Sequence, residues 1–595
     1  MTSGILPTST KLRLRRVFRR TVKTAKISAQ NVGEQFDTNF IGRFKRVRKI
    51  RRFVAGWLGL TILLTAATLL QTIALSSAYQ TTQPVSGGTM HEGYVGSFST
   101  ANPLYATGAV NVAVAKLLFA GLLTYDENNQ LTGDLAESYS LDELGKTYTV
   151  VLRKNLFWHD GKALTADDVV FTFQAMQNPE ARSVHESSMR GVTIAKVDQR
   201  TVTFTLPSAL SSFPESLTVG ILPKHLLRSV PLSQLRDNSF NKTDPVGSGP
   251  FKWESLSSVA SKTGDTSQYT INFSRFDDYY RGTPKIENFI IRTYETTPDL
   301  IRAFERREIS SVAGIKSTPN NILDGKDVRL YSFQTTAALM SFFNMNNAIL
   351  SDVGVRRGLL YATSRKEIIQ KLDPSLRIVR EPVLRGQFAF DPEYASSLYN
   401  VEKAKTTLDQ AGWITGKDGV RAKDGKKLQF RLYAENTPDN KTITELLKKQ
   451  WGAVGADVII TLQPSQFFQE TLEYRNYDAV LYNISIGNDP DVFPYWHSSQ
   501  AISGMNFSNY KSTVADTALE AGRTRQDQAQ RALKYKPFLK AWSEDVPAIS
   551  LFRPKIYYIT RGDVYGLQEH VLNTDDDRYN NISDWMIHTA NVDQR

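Results

Sequence analysis

Two hydrophobic periods alternate along the greater part of this chain. Apolar residues at every second position, the pattern of a half-buried strand, occur at Tyr148, Val150 and Leu152, at Val202, Phe204 and Leu206, and in the runs 458–462 and 479–484. Spacings of three and four mark helices. Val169, Phe173 and Met176 follow Thr165, whose hydroxyl can cap the turn together with Asp168; Val401, Ala404, Leu408 and Ala411 run to a stop at Gly412. Two Asp-Gly pairs, Asp418-Gly419 and Asp424-Gly425, set turns ahead of a strand at 428–434. Strands and helices are interleaved without a fixed-period repeat, which predicts an α/β protein.

One stretch obeys neither period. Residues 53–75 (FVAGWLGLTILLTAATLLQTIAL) are almost continuously apolar, and no Asp, Glu, Lys or Arg occurs between Arg52 and Glu92. The run is long enough to cross a bilayer. Charge is divided unevenly around it: fifteen of the 72 Lys and Arg, but only two of the 60 acids, precede Phe53, so residues 1–52 stand at +13 and the remainder at −1. The positive flank predicts a single-pass anchor in the cell membrane, with residues 1–52 as a cytoplasmic tail and everything beyond about residue 76 outside. Ser76-Ser77-Ala78 offers the alternative of a cleaved signal peptide, but secretory apolar cores are about 7 to 15 residues long, so the anchor is preferred. Beside a membrane span the basic tail reads as an orienting and lipid-binding segment, not a nucleic-acid arm. Residues 76–87 read as a polar linker, with order beginning near Gly88.

Cysteine is absent, which excludes disulfides, thiolate metal sites and catalytic thiols. With some 500 residues outside the membrane, well past the ~250 to 300 at which single cores stop growing, the outer part should be divided into domains. The seven His residues are scattered, none three or four places from another, and there is neither a Gly-rich phosphate loop nor a Gly-x-Ser-x-Gly elbow. Asp489-Pro490-Asp491 is the most metal-like group, yet a proline turn accounts for it. The reading is of a non-enzyme with no cofactor and no metal.

Residues 152–176 (LRKNLFWHDGKALTADDVVFTFQAM) resemble the signature block of the family 5 extracellular solute-binding proteins, the peptide, oligopeptide and nickel receptors of ABC importers. The block is a strand, a His-Asp-Gly turn and a capped helix, and reads as scaffold. Further segments agree in order: 121–139 and 221–227 (ILPKHLL), 245–251 (PVGSGPF) and 278–285, then 343–347 (FNMNN), 351–369 and 399–413. The resemblance spans about residues 88–559.

It implies a two-lobed, Venus-flytrap receptor of the periplasmic-binding-protein type: a base lobe of residues 88–121, 245–335 and 549–595, an inserted subdomain at 122–244, and a second lobe at 336–548. The chain would cross between lobes near 335 and near 548. It further implies a monomer that captures a peptide or other small solute and hands it to ABC permease and ATPase subunits. In peptide-binding relatives an extended ligand pairs with strand-like edges of both lobes; mapped here, these are Thr107, Gly108 and Ala109 on one side and Tyr482, Asn483, Ile484, Ser485 and Ile486 on the other, with Asp489 and Asp491 close by. One departure stands out. Where peptide-binding members carry an Asp that neutralises the ligand's amino terminus, this chain has Ile486, so either Asp489 or Asp491 substitutes or the ligand lacks a free amine there. Alternatives are a receptor for an oligosaccharide or metal complex, a ligand sensor signalling through the tail, a chaperone-like surface protein, and a surface hydrolase with paired acids in the cleft.

Overall fold

The computed structural model describes residues 51–260, 267–315 and 322–593, so nearly all of the basic tail lies outside the described residues. A 29-residue helix, Arg51–Tyr79, contains the apolar run, and its stretch from Arg51 to Ile73 is long and apolar enough to cross a membrane. Its threonines need no outside partner: Thr65, Thr68 and Thr72 each donate to the carbonyl four residues earlier, at 2.8 to 2.9 Å. The helix runs to Tyr79 and Gln80–Val85 form a strand, which corrects the expectation of a linker from 76 to 87. Residues 76–83 contain no Gly or Pro to break either element.

Beyond it, three larger sheets organise the chain. The first has eight strands in the order Val571–Leu572, Val328–Thr335, Lys555–Arg561, Ser311–Ile315, Thr89–Val95, Asn288–Tyr294, Ser267–Arg275 and Phe251–Ala260. Thr89–Val95 is parallel to both its neighbours, and the flanks are largely antiparallel. Helix Thr297–Glu305 comes close to this sheet at Gly93, where a Cβ would stand 2.4 Å from Ile309 and 2.5 Å from Leu300, so only glycine fits. The second sheet has four antiparallel strands, Ala136–Leu141, Thr147–Leu152, Thr201–Thr205 and Thr193–Lys196, and shares one continuous core with the first. Two of these are the alternating segments read from sequence. Helix Ala166–Gln177 follows Thr165, with the capping box formed as expected.

The third sheet has six strands, in the order Arg377–Ile378, Ala548–Arg553, Ala337–Phe343, Ala479–Ser485, Gln429–Glu435 and Asp457–Gln463. Its central strand, Ala337–Phe343, is buried along its full length because each sheet face carries its own core. Helices Val353–Ala362, Val401–Gln410 and Pro438–Gly452 contribute to one; Thr513–Arg523 and Gln528–Asp545 to the other. Asp424-Gly425 makes the two-residue turn between Arg421–Lys423 and Lys426–Lys427, both residues at positive φ (50° and 75°).

The chain passes from the eight-stranded to the six-stranded sheet at Thr336 and returns at Pro554. The return is therefore later than the expected 548, because Ala548–Arg553 is an interior strand of the six-stranded sheet. The two passages lie side by side. Thr335 Oγ1 donates to the Pro554 carbonyl at 2.8 Å, and Arg553 donates to the Thr335 carbonyl at 2.7 and 2.9 Å.

Candidate functional site: an open strand edge and a paired acidic turn

Strand Ala479–Ser485 pairs along its whole length with Ala337–Phe343, but on its other side only Ala479 and Val480 meet Leu432 and Tyr433. From there to Ser485 that edge has no strand beside it. Ile486 donates its N–H to the Thr336 carbonyl at 2.9 Å, so even-numbered residues turn their backbone groups inward and Asn483 and Ser485 turn theirs to the open edge. Both of these residues are exposed, Tyr482 is half-buried, and Ile484 and Ile486 are core residues, the latter 5% exposed. The Ser485 carbonyl accepts the Tyr495 hydroxyl at 2.7 Å.

Thr107, Gly108 and Ala109 are exposed at the start of helix Ala109–Leu118. Gly108 has φ +76° and nothing within 4 Å of where a side chain would begin, so the backbone is approachable there. Asn111 fixes the loop: its amide donates to the Thr107 carbonyl and its oxygen accepts the Ser99 N–H, at 2.9 and 2.8 Å. The two sets of residues are tied to one segment. Ala109 and Asp575 both flank Gly314, while Thr336, which holds Ile486, donates through Oγ1 to Asn573 at 2.9 Å.

The acidic turn is already neutralised from within. Arg531 holds Asp489 by two hydrogen bonds of 2.6 and 2.7 Å, and Arg523 holds Asp491 at 2.9 Å while Ser212 donates to it at 3.0 Å. Both guanidiniums lie over aromatic rings, Arg531 on Phe388 and Arg523 on Phe493. A third acid joins them that sequence reasoning missed. Glu215, in the turn Phe213–Thr218, accepts the Asp489 N–H at 3.1 Å and is within hydrogen-bonding reach of the Tyr125 hydroxyl. Burial, reinforced by Asp489 and Asp491, pushes its pKa up to about 7. Ser211 adds two bonds to the Arg523 carbonyl, at 3.0 and 3.1 Å. Residues 211–215 thus meet the six-stranded half of the molecule at Asp489, Asp491 and Arg523. No period or motif marks Ser-Ser-Phe-Pro-Glu, and it becomes visible only in three dimensions.

A cavity of about 370 Å³ lies beyond Tyr125 and Thr218, and Glu215 itself is not part of its wall. Tyr125 and Thr218 line it, together with Lys116, Arg281, Asp134 and Asp576. Arg281 pairs with Asp134 at 3.0 Å, and burial with the neighbouring Asp577 pushes Asp576 up to about 6. A wider, shallower depression of about 990 Å³, between helix Ala166–Gln177 and Arg228, holds none of the residues read from sequence. Among the described residues no group of three His, Asp or Glu is arranged to hold a metal ion.

Residues 130–505 match the model of the bacterial extracellular solute-binding proteins, family 5, middle region. The oligopeptide-binding protein AppA of Bacillus subtilis is 28% identical over 501 residues, which cover 82% of this chain and 90% of that protein. The dipeptide-binding protein of Escherichia coli is 24% identical over 508 residues, 78% and 89% of the two chains. Among solved structures, AppA from B. subtilis in complex with a nonapeptide superposes with a TM-score of 0.71 at 26% identity, covering 85% of this chain and all of that one. NikZ from Campylobacter jejuni in complex with Ni(L-His) gives 0.72 at 26%, covering 84% and 99%. The fold is accordingly the two-lobed α/β fold of periplasmic binding proteins. The matched region covers more than half of the sequence, and the chain belongs to the bacterial extracellular solute-binding proteins of family 5.

Proposed function

We propose that this protein is the membrane-tethered receptor of an ABC importer and captures extended peptides between two lobes that close on them. The base lobe is the eight-stranded sheet with the four-stranded subdomain inserted in it; the opposing lobe is the six-stranded sheet; Thr336 and Pro554 are the hinge. The observation that carries the reading is the open edge at Asn483 and Ser485, where the Asn483 backbone groups and the Ser485 N–H have no strand beside them and suit strand addition by a ligand main chain, the Ser485 carbonyl being taken by the Tyr495 hydroxyl. Gly108, whose backbone is open to approach, supports it. Helix Arg51–Tyr79 serves as an uncleaved anchor, the basic tail stays in the cytoplasm, and a monomer delivers its ligand to permease and ATPase subunits that supply the energy of transport.

Native mass spectrometry of the full chain in detergent, released with the ligands it carries from its host, tests the proposal. Peptides of mixed sequence are the expected cargo. A uniform sugar or a metal complex would replace the peptide reading with another solute of the same cleft.

A further inference from the structure

On the reading of the cleft as a peptide site, the charges around Glu215 say which end of a ligand it holds. Glu215, Asp489 and Asp491 lie within one another's electrostatic reach. Two of the three negative charges are matched, Asp489 by Arg531 and Asp491 by Arg523. Glu215 receives only neutral donors, the Asp489 N–H and the Tyr125 hydroxyl, and among the described residues it forms no ion pair with a Lys, Arg or His. A fully exposed carboxylate needs no partner, but a half-buried one beside two like charges gains from one, and the upward displacement of its pKa to about 7 has burial as its leading cause. A partner can reach it, because Glu215 is half-buried and not sealed in the core. Gly487, at φ +81°, puts no side chain against the carboxylate, and the place where its Cβ would stand is 3.6 Å from both oxygens. Tyr125 and Thr218, the latter donating to the Glu215 carbonyl at 2.8 Å, also form part of the wall of the 370 Å³ cavity. Ile486, where an acid for this purpose is expected from sequence, turns its side chain into the core.

We propose that Glu215 is the anchoring carboxylate of the cleft, accepting the ammonium group of a bound peptide and making the receptor selective for ligands that carry one. The positive charge then comes from the guest, and the acid is supplied by the inserted subdomain instead of the opposing lobe. Because the carboxylate bonds the Asp489 N–H as well, it would hold the guest at the point where the two halves of the molecule meet.

Calorimetric titration of the full chain in detergent tests this with three probes: pentaalanine with a free amino terminus, its N-acetyl form, and an N-acetyl form with a central lysine. The native protein should bind the free peptide at least tenfold more tightly than the acetylated one, as a charge-assisted hydrogen bond in a partly dry site provides. Glu215→Gln, whose amide oxygen can still accept the Asp489 N–H, should remove that preference by weakening the free peptide at least tenfold and the acetylated one by no more than about threefold, and Glu215→Asp should retain part of it. Tight binding of the lysine peptide, lost in Glu215→Gln, would show a side-chain ammonium reaching the same anchor. A preference that persists in Glu215→Gln, or an equal loss for every probe in a variant whose melting is unchanged, overturns the inference and leaves the peptide reading standing. If no peptide binds the native protein, the peptide reading fails and takes the inference with it.

Discussion

His159 lies between two glycines of the segment that follows the inserted subdomain. Its Nδ1 accepts the Gly247 N–H at 3.2 Å, its Nε2 faces the Gly249 carbonyl at 3.0 Å, and burial drives its pKa down from 6.5 to about 4. A histidine that binds its proton more weakly when folded contributes full stability above about pH 6.5 and loses it as pH falls towards 4. Between pH 6.5 and 5 this residue should remove at most about 1.4 kcal/mol per pH unit, and His159→Gln should flatten that part of the stability curve in urea titrations; an unaltered slope would remove His159 as its source. A second buried device is ionic. Glu92 and Arg578 are both fully buried and paired at 2.7 Å, with Tyr558 donating to the carboxylate at 2.5 Å and Asp575 accepting from the guanidinium at 2.8 Å. Arg578→Met leaves the acid uncompensated and should cost about 3 to 5 kcal/mol in chemical denaturation, and adding Glu92→Gln should restore part of it. The sequence made the first of these legible as scaffold, since His159 sits in a strand-turn-helix block. It could not show that Asp489 and Asp491 are already paired, because their partners Arg531 and Arg523 lie on two later helices whose docking no local pattern encodes.

Elements whose signal is local were read well, and those defined by partners were not. The alternation at Tyr148, Val150 and Leu152 and the Thr165 cap each concern neighbours a few residues apart, and strand Thr147–Leu152 and helix Ala166–Gln177 form there. Thr165→Ala should destabilise the inserted subdomain by about 1 kcal/mol, with Thr165→Ser close to native, because the capping oxygen and not the methyl group satisfies the helix end; equal losses for the two variants in thermal melts would deny the cap its role. Ala548–Arg553 illustrates the opposite case. Its first five residues are buried, so nothing in its composition says which of two sheets it joins. Its place is fixed by pairing with Leu339, Met340, Ser341 and Phe342, which are some two hundred residues earlier, and the chain therefore returns to the eight-stranded sheet only at Pro554. The edge at Tyr482–Ile486 was legible through the family resemblance and not through the hydrophobic pattern, since an unpaired flank is a property of the neighbouring strand Gln429–Glu435 ending its contact early.

For the whole molecule the proposed function implies a closing equilibrium. Among the described residues, the contacts between the halves away from Thr336 and Pro554 include Ser211 on the Arg523 carbonyl, Ser212 on Asp491, Glu215 on the Asp489 N–H, and Tyr148 with Gln526. Contacts of this kind contribute about 0.5 to 1.5 kcal/mol each when neutral and about 1.5 to 3 when a carboxylate is one partner, a total that a ligand spanning both halves can match, so that its binding shifts the balance between open and closed forms. Ser211→Ala combined with Ser212→Ala touches neither the open strand edge nor the Glu215 carboxylate. The pair should therefore lower affinity for free and N-acetylated peptides by the same factor, about three- to tenfold, because it taxes only the population competent to close. Small-angle scattering should show the matching change in shape, with a larger radius of gyration for the unliganded variant than for the unliganded native protein and the two converging at saturating peptide. A selective loss for one class of peptide would mean that the serines read the ligand, and scattering curves that do not respond to ligand in either protein would mean that Thr336 and Pro554 do not act as a hinge.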